Sequence, residues 1–203
     1  IKFSHELHAG INQIDCQYCH NGAFKSKNAT IPSLNVCMNC HKAVQARDKY
    51  DGEISPEIKK IYNALGYDPE TQKYDEGKAK PMEWVRVHNL PDFAYFNHSQ
   101  HVVAGGVDCI QCHGDMKTMK ETAKVQPVSE LNKLEGNVKL TKPTMTMGWC
   151  IECHRTTEID MNNGYNKEYF KNLHEKLKKQ YPKDGGKITV DAIGGLECGK
   201  CHY

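Results

Sequence analysis

The sequence predicts a mostly α fold with extensive loops, built from short helices that wrap bound groups instead of a core of their own. Three observations lead there. Only 38% of the 203 residues are hydrophobic and mean hydropathy is −0.70, so burial alone offsets little of the ordering entropy of such a chain. All ten cysteines fall into five C-x-x-C-H units. The amphipathic stretches are short and are separated by polar, turn-rich runs.

The five units carry the chemistry. They are Cys16, Cys19 and His20; Cys37, Cys40 and His41; Cys109, Cys112 and His113; Cys150, Cys153 and His154; and Cys198, Cys201 and His202. C-x-x-C-H reads as covalent attachment of a c-type haem: two thiols a short turn apart add to the vinyl groups, and the adjacent imidazole becomes the proximal iron ligand. A disulfide scaffold gives no reason for a histidine after every pair. Four-cysteine zinc sites take two such pairs each; five pairs do not divide evenly into them, and the histidine after every pair would be unexplained. The cofactor expected is therefore five haem c. Their macrocycles supply the missing apolar bulk, which makes this a multihaem cytochrome c fold with the polypeptide wrapped around five closely packed haems. A compact domain of this length has a radius of gyration of about 17 Å, so neighbouring haem edges are expected within about 10 Å.

The chain opens on F-S-H-E-L-H-A-G, and 93 residues later F-N-H-S-Q-H-V-V repeats it in register. Phe3 aligns with Phe96, His5 with His98, His8 with His101 and Asp15 with Asp108, and a haem motif follows each time. A histidine pair reproduced at a fixed distance from two motifs points to distal axial ligands: His5, His8, His98 and His101. On a helical turn the two members project side by side. One is expected to serve its own repeat's haem and the other a neighbour's.

Five proximal histidines leave six of eleven for five distal positions, His88 and His174 being the other two. That suffices for bis-histidine ligation at every iron. His174 lies in an expected helix over 166–181, on one face with Phe170, Leu173 and Leu177. His88 follows the alternating W-V-R-V, read as an extended strand with Trp84, Arg86 and His88 on one side, where Arg86 suits a haem propionate. The residues leave these two open. Met147, three residues before Cys150, is a further thioether ligand to weigh against ordinary packing beside Trp149.

The remaining elements are connective. Ser55, Pro56 and Gly66 mark the cap, first turn and stop of a helix whose buried stripe is Ile58, Ile61, Tyr62 and Leu65. Residues 66–81 and 117–142 read as loops. The whole, 1–203, is expected to be one pentahaem domain, with repeat halves at about 1–50 and 94–160 and a C-terminal haem segment at 161–203. A formal charge of +2 gives no support for nucleic acid; five haems, each with two propionates, take it to about −3. No apolar run reaches the length of a membrane span, and a start at Ile1 reads as a trimmed chain whose anchor or leader lay upstream.

The phrases around the motifs carry a resemblance. F-S-H-x-x-H-A-G, I-P-S-L-N-V-C-M-N-C-H-K, W-V-R-V-H-N-L-P-D-F-A-Y-F-N-H, T-M-G-W-C-I-E-C-H-R and G-G-L-E-C-G-K-C-H-Y resemble the pentahaem cytochrome c subunit of alternative complex III, within the class III (c3/c7-like) multihaem cytochromes. The resemblance covers nearly the whole chain. It implies an electron-transfer subunit, not an enzyme by itself, on the periplasmic side of the bacterial inner membrane. Its complex oxidises quinol and passes electrons to a periplasmic cytochrome c or a terminal oxidase. The implied partners are an iron–sulfur/molybdopterin-like subunit, integral quinol-binding membrane subunits and a monohaem cytochrome c, with membrane association through these or through an N-terminal anchor. Two alternatives stand beside it: a periplasmic conduit for another reductase, and a multihaem enzyme such as nitrite reductase. The latter needs an open iron, as in a C-x-x-C-K motif, which no unit here has.

Overall fold

The computed structural model describes residues 1–122, 124–160, 171–180 and 187–202. The described chain is helical and loop-rich, with one two-stranded ladder. Its helices are α1 (Cys16–Cys19), α2 (Leu34–His41), α3 (Pro56–Leu65), α4 (Ile110–His113), α5 (Val128–Leu131), α6 (Met147–Thr156), α7 (Lys171–Gln180) and α8 (Cys198–Cys201). Every C-x-x-C-H unit sits on a helix, because that spacing closes one helical turn. The second and fourth motifs ride on longer helices that both begin three residues before the first cysteine, at Leu34 and Met147. Thr146 caps the latter by accepting from the Trp149 N–H at 3.3 Å.

The protein's own core is small and local. Leu34 and Met38 of α2 pack with Ile54, Ile58, Ile61, Tyr62 and Tyr67. Helix α3 follows its sequence signals: Pro56 occupies the first turn and Gly66 ends it at φ 62°. Ile58, Ile61 and Tyr62 are buried as expected. Ser55 caps with its backbone, its carbonyl taking the Lys59 N–H at 2.9 Å, while its side chain makes no cap bond. The Tyr62 hydroxyl donates to the backbone carbonyl of His41, tying this core to the second motif.

Both expected loops carry more order than their composition suggests. Tyr67–Asp68 (β1) pairs antiparallel with Lys73–Tyr74 (β2), and the Asp68 carboxylate accepts from the N–H of Glu70 at 2.9 Å and the hydroxyl of Thr71 at 2.8 Å. That Asx-type turn closes the hairpin. The segment 117–142 wraps the third motif: Gln126 N–H donates to the Cys112 carbonyl at 2.9 Å, and buried Asn137 donates to Ile110 and Leu131 carbonyls.

One expectation fails. Residues 84–88 form no strand; they find no ladder partner, Val85 is 85% exposed, and Arg86 Nε donates to the His88 carbonyl at 3.0 Å. Alternation alone cannot make a strand without a second edge. Among the described residues no helix is long and apolar enough to cross a membrane.

Candidate haem-binding sites

The second histidine of each repeated pair, His8 or His101, lies on a π-helical turn, and the first, His5 or His98, sits just ahead of that turn in α-helical geometry. Glu6–Ile11 and Gln100–Ala104 both wind in the wider π form, with Asn12 N–H reaching the Leu7 carbonyl at 3.1 Å and Gly105 N–H reaching Gln100 at 2.8 Å. A single π turn is uncommon and clusters at functional sites. The two histidines of the first pair address separate sites, His5 meeting His20 and His8 meeting His41.

The repeat extends to individual bonds. Ile14 N–H donates to the His8 carbonyl and Val107 N–H to that of His101, at 3.0 and 2.9 Å. Phe3 stacks on His8 at 4.3 Å, and Phe96 on His101 at 4.4 Å. The same phenyl rings meet His5 and His98 edge-on, both at 4.9 Å. Asp15 and Asp108 each accept a backbone N–H two residues on, opening the motif turn. The halves also clasp each other reciprocally: Glu6 N–H donates to Met119 and Ser99 N–H to Ser26, and each pair maps onto the other by the 93-residue shift.

Four imidazole pairs face each other. His5 and His20 have centroids 6.4 Å apart, His8 and His41 6.2 Å, His101 and His154 6.1 Å, and His88 and His113 5.9 Å. Two imidazoles bound trans through one metal, at the roughly 2.0–2.1 Å usual for histidine nitrogen, have centroids roughly 6–6.5 Å apart. The spacing fits one iron between the rings at His5 and His20, His8 and His41, and His101 and His154; His88 and His113 match in distance alone, because the His88 Nε2 already accepts the Val125 N–H.

The ring nitrogens fit as well. Nδ1 of His8, His20, His41, His98, His101, His154 and His202 lies 2.7–3.2 Å from a backbone carbonyl. His5 reaches Glu121 more loosely, at 3.4 Å, and His113 bonds to the backbone of Lys124. A carbonyl only accepts, so the proton sits on Nδ1 and Nε2 keeps its lone pair for a metal. His88 differs: its Nε2 accepts the Val125 N–H at 2.8 Å. Burial lowers the pKa of His5, His88 and His101, and takes His113 to about 4, which favours the neutral, ligating form. His98 meets the Phe96 ring edge-on, and the His174 side chain lies outside the described residues.

The thiols are held apart from disulfide chemistry: all ten cysteines are free. Burial, followed by neighbouring thiols, pushes Cys112 up to about 12 and also raises Cys19 and Cys150; burial leads at Cys37 and Cys109 too. Among the described residues no three His, Cys, Asp or Glu side chains converge on one point. Zinc needs such convergence, whereas a haem iron takes four ligands from its porphyrin and two from the protein. Met147 is 64% exposed and leaves the position opposite His154 to His101.

A helical, core-poor chain carrying five C-x-x-C-H motifs and opposed imidazoles defines a multihaem cytochrome c. Residues 8–203 match the family described as outer membrane cytochrome MtrC/MtrF-like, domains II/IV, and the chain belongs to that family. Membership implies covalently bound haem c and electron transfer. A curated relative from Nitratidesulfovibrio vulgaris (strain Hildenborough), the menaquinone reductase multiheme cytochrome c subunit, is 26% identical over 163 residues. The match covers 76% of this chain and 66% of the relative, just under two thirds of its length.

Proposed function

We propose that this chain is a five-haem electron relay inside a membrane quinone-linked complex, of the quinol-oxidising alternative complex III kind, on the periplasmic side. The observation that carries the relay reading is the set of opposed imidazoles with their Nε2 lone pairs free. Haem supplies one-electron redox chemistry when bound. The residues do the rest. Each cysteine pair would anchor one haem, and His20, His41, His113, His154 and His202 would hold its iron. His5, His8 and His101 close the first, second and fourth sites, and His88 faces the third. By the 93-residue repeat His98 would serve the third as His5 serves the first, and His174 remains for the fifth, at His202. Two imidazoles at an iron would leave no open position for a substrate, which disfavours nitrite reduction and leaves electron exchange.

The alternative complex III assignment is supported by the phrases flanking the motifs, and its iron–sulfur/molybdopterin-like, integral membrane and monohaem cytochrome partners come with it. A second reading runs the electrons the other way, into the quinone pool. It is favoured by the relative's name, a menaquinone reductase subunit. Purifying the complex from membranes, identifying its subunits and mixing it with menaquinol decides between them. Rapid haem reduction by menaquinol supports quinol oxidation. Haems that stay oxidised with menaquinol, yet in reduced form are drained by menaquinone, support the reverse.

A further inference from the structure

Hydrogen bonds and ring contacts join the five motifs in an order that differs from their order in the chain. The second and first meet where Asn39 Nδ2 donates to the Tyr18 hydroxyl at 2.9 Å. One π turn and the residue just ahead of it serve both, His5 facing His20 and His8 facing His41. The first and third meet across the reciprocal clasp, where His98 N–H and Nδ1 both reach the Lys27 carbonyl. The second π turn leads directly into the third motif and presents His101 to His154 of the fourth. The fourth and fifth meet where His154 Nδ1 donates to the Gly195 carbonyl at 2.9 Å, three residues before Cys198.

Exposure follows the same order. Of the ten cysteines, Cys40 and Cys198 are exposed and the other eight are partly covered. They belong to the second and fifth motifs, the two ends of the series. The first motif, N-terminal in sequence, lies inside, at the clasp between the repeats.

We propose that the five sites form one unbranched row in the order second, first, third, fourth, fifth. Its exposed ends, at Cys40 and Cys198, are the surfaces where this chain exchanges electrons with partner proteins carrying their own redox centres. This rests on the relay reading and adds to it which sites meet partners.

The test uses the five-haem chain and its electron paramagnetic resonance spectrum. A thioether ligand raises a haem's potential, so His8→Met makes the site at His41 the first to be reduced. One-electron reduction of that variant should change the magnetic coupling of one other ferric haem. The same reduction of His5→Met, altered at the first motif, should change two. Two for His8→Met, or one for His5→Met, overturns the order. The unsubstituted chain gives a second measure, since an aqueous dysprosium chelate should strongly speed relaxation of two of the five ferric signals. A single accelerated signal, or all five alike, overturns the exposed ends. Fewer than five haems, or high-spin iron before any substitution, counts instead against the relay reading itself.

Discussion

Replacing Ile61 by alanine should loosen the support of the second motif and leave the other four undisturbed. Ile61 is 6% exposed and sits in the seven-residue cluster that joins α2 to α3. Its neighbour Tyr62 bonds to the His41 carbonyl, so a shift in α3 is passed to the helix that carries Cys37, Cys40 and His41. Ile→Ala in a packed site costs about 2–5 kcal/mol, the higher part arising where the cavity cannot collapse. The cluster has few other members to close around it, and the rest of the chain has little protein core with which to share the loss. Local opening of α2 and α3 should therefore become roughly 30- to 4,000-fold more frequent, at a decade per 1.4 kcal/mol. Hydrogen–deuterium exchange on the holo-protein, read by mass spectrometry, measures it. Peptides spanning 34–41 and 56–65 should exchange faster, and those spanning 147–156 should not change. Uniform acceleration across the chain would show a single cooperative core and refute the reasoning, as would no change at 56–65.

Gly66→Ala should lower the unfolding midpoint more than Gly52→Ala. Both glycines have positive φ, 62° and 87°, but a Cβ at Gly66 runs into the Asp75 carbonyl whereas one at Gly52 meets nothing; the shared φ cost is about 1 kcal/mol. Equal losses would remove the steric argument. Phe3→Ala should alter the low-spin signals of the two haems whose ligands it touches, because its ring contacts both His5 and His8; a spectrum superimposable on the parent's counts against that positioning role. Of His88→Ala and His98→Ala, one should create a single high-spin haem and the other none. Two silent variants would break the count of six distal candidates for five irons.

The cysteine spacing and the 93-residue repeat made most of the candidate site's geometry legible, because the same local pattern folds the same way in both halves. His5, His8 and His101 stand opposite proximal imidazoles at positions that pattern picked out. Helix α3 was equally readable, since Pro56 and Gly66 act through local backbone geometry. What sequence missed depends on distant partners. Alternation in 84–88 suggested a strand, but pairing needs a second edge the chain does not supply there. The hairpin at Tyr67 depends on the Asp68 turn and on Tyr67 packing into the core. The π turns depend on one extra residue per turn, which hydrophobic periodicity in so short a stretch cannot reveal. The clasp between halves involves carbonyls at Met119 and Ser26, and backbone acceptors leave no mark on residue type.

The most direct test of the central claim is the haem content and coordination of the matured chain. Denatured intact mass should exceed the 23.0 kDa polypeptide by five haem masses, and the native ferric protein should show low-spin iron alone, as two imidazoles per iron require. A mass equivalent to four haems or fewer, or a high-spin signal from any site of the unsubstituted protein, would contradict it.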